Sequence, residues 1–325
     1  MSDTDPPESD ARSRATRRAV LRRGGSLGVG AVAAAGSTAL SGCGGRRVGD
    51  ADGSDDDADA DAEGGDSAEG DDATGPPLIA HRGFAAEHPE NTVAAVEAAT
   101  AVVDRIELDV RRCGTGELVV FHDATLGRVT DATGRVDRTS ADRLAELSVE
   151  GSGEPVPTLA RALDAVPADA WVLLDLKERG VAADAVAAGA ARDHDLAVTA
   201  DDPGVIEAAT AADPTVPTVY GVRESVPARL LRPVIPGGRG GVTVPEWAYP
   251  AQDVAGMIET ASESGCAAVS PRYELCLRTD VVSRAADAGL GVLPWTVASV
   301  REYEAVAAAG VDAVVSDVSP AGRET

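Results

Sequence analysis

From residue 78 to the end of the chain, short apolar runs alternate with alanine-rich stretches that have the 3.6-residue period of a helix. Gly289 and Gly310 stand where two of these helices are expected to end. Regular alternation of strand and helix predicts a parallel sheet, because each helix returns the chain to the start of the next strand. The apolar runs lie at 78–81, 105–110, 117–122, 171–176, 196–199, 216–222, 241–244, 267–270, 291–297 and 312–316.

The length of this region narrows the architecture, since a (β/α)₈ barrel needs roughly 250 residues and the segment 78–325 is close to that. The ten apolar runs are two more than the eight strands of such a barrel. Too few residues for a helix separate 105–110 from 117–122, so one of these two runs is expected to pair locally in a hairpin. A doubly wound sheet is the alternative. The barrel is favoured because polar residues repeatedly end the runs, as they do at the mouth of such a barrel.

Charged residues at these run ends are the candidates for chemistry. The first run ends in His81 and Arg82, and the third ends in His122. Glu107 and Asp109 lie two apart in the second run, so the two-residue period of a strand places both carboxylates on one face. Such a pair repels itself unless a cation lies between, and oxygen ligands select hard cations such as Mg²⁺ or Ca²⁺.

Asp175 and Lys177 repeat this spacing at the end of the fourth run, and Lys177 is the only lysine in the chain. A strand there would point both side chains into the same mouth. The alternative interpretation of all these charges is a set of ion pairs at the barrel mouth without a catalytic role.

The chain has four histidines. His81 and His122 end different runs beside the carboxylates and are predicted to form a general acid–base pair, because an imidazole changes its protonation near neutral pH. A core histidine with its hydrogen bonds satisfied is the alternative for either one. His88 and His194 fall in loop or helix contexts and are given no catalytic role.

The first 43 residues have the order of parts that an export signal has. Adjacent arginines at 17–18 precede a short, mildly apolar stretch at 26–40, and "LSGC" ends at Cys43. The apolar stretch is shorter than the roughly 20 residues of a membrane span. This segment resembles a twin-arginine signal followed by a lipobox, which predicts export and a lipid anchor on Cys43 at the outer face of the cell membrane. A basic, disordered N-terminus is the alternative.

The chain after residue 43 is strongly acidic. Residues 44–77 carry twelve acids against two arginines and end in Gly-Pro-Pro, which predicts a disordered tether. Most of the net charge of −25 lies in residues 78–325, which is typical of a halophilic protein, and the composition looks haloarchaeal. A chain this acidic is not expected to bind nucleic acid, because phosphate binding needs basic surfaces. Beyond Cys43 the cysteines are odd in number; Cys266 and Cys276 could pair, but three buried thiols including Cys113 are favoured.

The motif series "IAHRG…HPENT…IELDV…VVFHD…LLDLK…PWTV…GVDAVVSD" resembles the glycerophosphodiester phosphodiesterase family. The resemblance covers nearly all of 78–321, and its motifs are densest at 79–123. It implies a TIM barrel at 78–321 that follows a signal at 1–43 and a linker at 44–77. It also implies one divalent metal ion, Ca²⁺ or Mg²⁺, and a small phosphodiester substrate that is hydrolysed to glycerol phosphate and an alcohol.

Carried over by position, the resemblance implies three metal ligands and two proton-transfer groups. The ligands are Glu107, Asp109 and Asp175, the last standing where the family usually has Glu. His81 and His122 are implied as base and acid.

The resemblance implies further roles around the substrate. Arg82 and Lys177 would hold phosphate oxygens, and Trp295 would form a wall against the glycerol carbons. Glu90 and Asn91, from the Pro-Glu-Asn-Thr stretch, would cap the first helix and brace the site.

Two other functions fit the same residues. One is a related phospholipase that acts on intact lipids, which would need an apolar groove or a membrane-docking loop; no aromatic loop cluster of that kind is evident. The other is a non-catalytic lipoprotein that only binds a phosphoester, against which the intact histidine and carboxylate pairs argue.

Overall fold

The computed structural model describes residues 75–223 and 253–322. The predicted signal at 1–43, most of the predicted linker at 44–77 and the apolar run at 241–244 therefore lie outside the described residues. None of the described helices is long and apolar enough to cross a membrane.

One sheet contains all the strands of the described residues. Eight of them are parallel neighbours in the order β8-β7-β6-β5-β4-β2-β1-β9, and β3 pairs antiparallel with β2. The predicted parallel α/β class is confirmed, and the expected hairpin is the β2–β3 pair. The strands are β1 (Leu78–His81), β2 (Arg105–Arg112), β3 (Leu118–Val120), β4 (Trp171–Leu176), β5 (Asp195–Ala200), β6 (Thr218–Gly221), β7 (Ala268–Ser270), β8 (Gly291–Val292) and β9 (Val314–Ser316).

Backbone hydrogen bonds also join the two ends of this strand order. Beyond β8, the amide of Val297 donates to the carbonyl of Val315 at 3.0 Å, and the amide of Asp317 donates to the carbonyl of Val297 at 2.9 Å. A parallel bridge pairs Val297 with Ser316. The parallel strands thus form a ring of hydrogen-bonded neighbours, which is the connectivity of a (β/α)₈ barrel.

Helices connect the parallel strands. Thr92 is the N-cap of α1, since its hydroxyl accepts a hydrogen bond from the amide of Ala95 at 3.1 Å. The expectation that Glu90 and Asn91 cap this helix is wrong, because their side chains bond to site residues instead. The helices are α1 (Val93–Thr100), α2 (Ala141–Leu144), α3 (Leu159–Asp164), α4 (Ala182–Ala190), α5 (Pro203–Ala212), α6 (Val254–Glu263), α7 (Tyr273–Arg278), α8 (Val281–Asp287) and α9 (Val300–Ala308).

Three apolar clusters hold these elements together. The largest packs the helices on the outside of the sheet and includes Leu108 of β2. A second fills the inside of the sheet, around Trp171 and Leu173 of β4. The third lies within residues 113–157, called the insert here, and gives that segment a core of its own around Phe121. Site residues can therefore come from both the barrel strands and the insert.

The three described cysteines are buried and free, so the predicted buried thiols are confirmed and no Cys266–Cys276 disulfide forms. Burial raises the pKa of the Cys276 thiol to about 12, so this thiol stays protonated at neutral pH.

Candidate active site

Three neighbouring strands bring most of the predicted site residues together at their carboxyl ends. Parallel pairing places His81 of β1 opposite Glu107 of β2, and it places Asp109 of β2 opposite Asp175 of β4. Lys177 follows β4 directly, and its amide donates to a carbonyl of β2 at 3.1 Å. The strand register therefore sets the arrangement, since each strand contributes its inward-facing residues at the same level.

The carboxylates of Glu107, Asp109 and Asp175 offer oxygens that all lie within 4.8 Å of one another. Glu107 and Asp109 are buried, and Glu107 Oε1 has no hydrogen-bond partner among the described residues. Burial, followed by the charges of Asp109 and Asp175, raises the pKa of Glu107 well above its usual value. A buried, unpartnered oxygen beside two like charges fits a hard divalent cation, which prefers carboxylate oxygens.

Two cations already lie against this cluster. Lys177 Nζ is 2.8 Å from Asp109 Oδ1 and also pairs with Asp175. Arg82 Nε forms an ion pair with Asp109 Oδ2 at 3.0 Å. Burial acts to raise the pKa of Asp109, but Lys177 and Arg82 outweigh it and hold this pKa well below its usual value. The two cations therefore stabilise the charged form of Asp109, which lies between them.

Residues of the Pro-Glu-Asn-Thr stretch brace this arrangement, as predicted. Asn91 Nδ2 donates to Asp109 Oδ2 at 2.7 Å, and Asn91 Oδ1 accepts from the amide of Asp109 at 3.2 Å. Glu90 accepts from Arg82 Nη1 at 3.2 Å. Arg82 and Asn91 both have left-handed backbone, with φ of 52° and 61°. Such conformations are uncommon for residues other than glycine, and they persist where surrounding contacts hold the backbone in place. Here the hydrogen bonds of Asn91 with Asp109 and of Arg82 with Glu90 provide those contacts.

Each candidate histidine is held at Nδ1 by a carboxylate. His81 Nδ1 lies 2.6 Å from Asp317 Oδ1, and its Nε2 lies 3.9 Å from Glu107 Oε2. His122 Nδ1 lies 2.6 Å from Asp123 Oδ1. Burial lowers the pKa of His122, against the opposing effect of neighbouring carboxylates. A carboxylate at Nδ1 fixes the orientation of the ring, which leaves Nε2 as the nitrogen for proton transfer.

Trp295 lies on the other side of the same barrel end. Its Nε1 donates to the carbonyl of Ser270, the last residue of β7, at 2.9 Å, and its ring packs against the inner cluster. The guanidinium of Arg272 lies 5.0 Å from the ring centroid and is bonded to Glu274 at 3.3 Å. The indole is thus fixed in place at the mouth.

Three contributors received no role from the sequence. Asp317 directly follows the last run, so its position at a strand end was visible in the sequence, but its partner His81 is 236 residues away in the chain. Asp123 adjoins His122 in the His-Asp motif, which gave a local signal. Arg128 lies in the insert and bonds to Asp123 and Glu90, and no pattern in the sequence indicates it.

The model of the glycerophosphoryl diester phosphodiesterase family matches residues 81–320. The chain belongs to this family. Among curated relatives, the glycerophosphodiester phosphodiesterase of Caldanaerobacter subterraneus is 36% identical over 96 residues, which are 27% of this chain and 40% of that protein. The alignments with the first curated relatives span about two fifths of the relatives' own length.

Solved structures of the family share the fold. An Oleispira antarctica phosphodiesterase in complex with the product sn-glycerol-3-phosphate has a TM-score of 0.61 and 24% identity, over 77% of this chain and 96% of that chain. A glycerophosphodiester phosphodiesterase from Agrobacterium tumefaciens has a TM-score of 0.60 and 21% identity, over 77% of this chain and 100% of that chain. At these identities the likeness establishes the fold of the barrel.

Proposed function

We propose that this member of the glycerophosphoryl diester phosphodiesterase family hydrolyses small glycerophosphodiesters to glycerol phosphate and an alcohol. The observation that carries the proposal is the convergence of three carboxylates, two cations and a carboxylate-held histidine at the ends of β1, β2 and β4. The complex of the Oleispira antarctica phosphodiesterase with sn-glycerol-3-phosphate supports the same substrate class.

Glu107, Asp109 and Asp175 would hold the divalent cation, Ca²⁺ or Mg²⁺. The all-oxygen donor set and the unpartnered Glu107 Oε1 fit such an ion. When bound, the cation would neutralise negative charge on the phosphate oxygens.

Arg82 and Lys177 would bind the phosphate from the side of the carboxylates. Both side chains are mostly buried in ion pairs with Asp109, so their charges are fixed in position before a substrate arrives. Preorganised charges of this kind stabilise the charge that develops in the transition state. Trp295 would provide an apolar wall for the glycerol carbons.

The two histidines would transfer the protons. His81, oriented by Asp317, would accept at Nε2 the proton of the attacking group. That group is either water, whose oxygen bonds to phosphorus as the bond to the leaving alkoxide breaks, or a neighbouring substrate hydroxyl, which gives a cyclic ester that water then opens. His122, oriented by Asp123, would donate a proton to the leaving alkoxide. Although burial lowers the pKa of His122, a bound phosphodiester brings a negative charge that favours the imidazolium form required of an acid.

A steady-state assay with glycerophosphocholine and similar diesters, in molar salt, tests the proposal. Turnover should require an added divalent ion and should be lost on treatment with a chelator. His81→Gln and His122→Gln should be nearly inactive, whereas His194→Gln is the matched control, since His194 contacts the carbonyl of Leu163 outside the site.

Each rival function predicts a different result in that assay. Cleavage of intact phospholipids in preference to soluble diesters would favour the phospholipase. Binding of diesters without turnover in any salt or metal would favour the phosphoester-binding lipoprotein.

We also propose that the protein is exported in folded form and anchored at the outer face of the cell membrane through Cys43, with residues 44–77 as the tether. The twin-arginine and lipobox-like motifs support this. Cys43→Ala should move the protein from the membrane fraction to the medium, and lysines in place of Arg17 and Arg18 should retain precursor inside the cell. Unchanged membrane association of Cys43→Ala would contradict the anchor.

A further inference from the structure

Arg128 belongs to the insert and not to a barrel strand. It ends a short 3₁₀ turn (Leu126–Arg128), and Leu126 is buried in the insert's own cluster. The Arg128 side chain is 42% exposed, at the rim of the barrel mouth, while the side chain of its partner Glu90 is only 6% exposed. A charge supplied by the insert thus reaches into the buried part of the site.

The Arg128 guanidinium contacts two carboxylates, and each of them holds a residue of the proposed machinery. Arg128 Nη1 and Nη2 donate to the two oxygens of Glu90 at 2.7 Å and 2.6 Å, and Nε donates to Asp123. Glu90 also accepts from Arg82. Asp123 also bonds to Nδ1 of His122. One planar group therefore connects the phosphate-binding arginine with the proton-donating histidine.

Charge balance explains why a second guanidinium is needed at Glu90. Burial acts to raise the pKa of Glu90, but the hydrogen bonds from Arg128 and the charge of Arg82 hold it below its usual value. Arg82 is already shared with Asp109. Without Arg128, two buried carboxylates would compete for one guanidinium, and a buried charge left without a partner reorganises its surroundings.

Geometry explains why this residue is an arginine. The planar fork presents its N–H groups in fixed directions, so one side chain can bind Glu90 with two parallel bonds and Asp123 with a third. All three nitrogens of Arg128 donate to these carboxylates, so three of its five N–H groups are engaged with the protein.

We propose that Arg128 is a positioning residue that fixes Arg82 and His122 relative to each other through Glu90 and Asp123. The inference rests on the proposed function, in which Arg82 binds a phosphate oxygen and His122 protonates the leaving group. The insert, which already supplies His122 and Asp123, would thereby also supply the group that aligns His122 with Arg82.

The test compares Arg128→Ala with Arg135→Ala in molar salt. Arg135 is the matched control because it makes a similar two-pronged pair, with Asp137 at 2.7 and 2.8 Å, on the exposed surface of the same insert. Arg128→Ala should lower kcat roughly 10–100-fold, the scale expected when a group that orients catalytic residues is lost. KM should change less than about threefold, because a residue that only positions Arg82 and His122 does not itself bind the substrate.

Two further variants test the route through Asp123. Asp123→Asn combined with Arg128→Ala should be little worse than the poorer single variant, because both changes release the same imidazole. Arg128→Lys should stay impaired, since an ammonium keeps the charge but cannot form the fork. A raised KM with unchanged kcat, full activity of Arg128→Ala, or an equal loss in Arg135→Ala would each overturn the inference.

A histidine NMR experiment separates this inference from the proposed function. The chain has four histidines, so protein labelled at the imidazole Cε1 position gives one Cε1–H resonance for each, four in all, which His→Gln variants assign. Arg128→Ala should shift the His122 resonance and leave that of His194 unchanged, whether or not the parent turns over a diester. An inactive parent would refute the proposed function, whereas an unshifted His122 resonance would refute the positioning role.

Discussion

The two faces of strand β2 are equally buried but have opposite chemistry. Ile106, Leu108 and Val110 face the helices and are 0% exposed, within the largest apolar cluster. Glu107 and Asp109 alternate with them and face the inside of the barrel, at 3% and 0% exposed. Burial alone therefore does not tell a stabilising position from a functional one; the type of group and its partners do.

The two faces of β2 contribute differently to stability. Apolar side chains removed from water stabilise the fold in proportion to the area they bury. Buried carboxylates lose hydration, and this loss is often only balanced by their ion pairs, so such groups are weak contributors to stability. The inner face of β2 is thus expected to serve activity more than stability. Substitutions there should lower activity, whereas substitutions on the outer face should lower the free energy of unfolding.

Glu107→Gln should show the largest effect, on activity alone. It keeps the shape of the side chain but removes a carboxylate from the proposed metal-binding triad. We therefore expect kcat/KM to fall by about a thousandfold or more, as when several kcal/mol of charge stabilisation are lost. The free energy of unfolding without metal should stay the same or rise, because repulsion with Asp109 and Asp175 is relieved. Steady-state kinetics and denaturant titration check this. A large loss of stability in Glu107→Gln would contradict the separate roles of the two faces.

Leu108→Ala should show the converse. Removing a fully buried leucine leaves a cavity, and the free energy of unfolding should fall by about 2–5 kcal/mol. Turnover of the protein that remains folded should stay near that of the parent. Leu277→Ala, at a 43% exposed position, is the matched control and should change stability little. A catalytic loss without loss of stability at Leu108 would contradict this account.

Lys177→Ala should reduce turnover by about a hundredfold or more, the scale for removing one charge-stabilising donor. Lys177→Arg should also be impaired, because the guanidinium keeps the charge but demands a planar, two-pronged fit. Circular dichroism in the same molar salt as the kinetic assay checks that each variant is folded. If both variants turn over like the parent, Lys177 does not act on the phosphate, and its ion pairs with Asp109 and Asp175 serve the fold only.

Arg223→Ala should have the smallest effect. Arg223 pairs with Asp201 at the ends of β5 and β6, where the two side chains are 71% and 47% exposed. An exposed pair of this kind contributes about 0–1 kcal/mol, and turnover should match that of the parent. This variant sharpens the comparison with the buried Arg82–Asp109 pair. A clear loss of turnover would extend the site to the β5–β6 side of the mouth.

The sequence predicted those features that depend on residues close together in the chain. The two-residue period placed Glu107 and Asp109 on one face, and the short spacer after β2 indicated the hairpin with β3. Contacts between residues far apart in the chain could not be predicted in this way. The contact of His81 with Asp317, for example, depends on how the sheet closes. The capping role of Glu90 was mispredicted because Thr92, two residues later, satisfies the helix and frees Glu90 for Arg128.

Hydrolysis of a glycerophosphodiester by the carboxylate-bearing face of β2 can be followed by phosphorus-31 NMR of glycerophosphocholine incubated with the parent or with Glu107→Gln, in molar salt with a divalent ion. The parent should convert the diester resonance into that of a glycerol monophosphate as choline is released, and Glu107→Gln should leave the diester nearly intact. Persistence of the diester with the parent, release of phosphocholine in place of choline, or equal conversion by both proteins would contradict it.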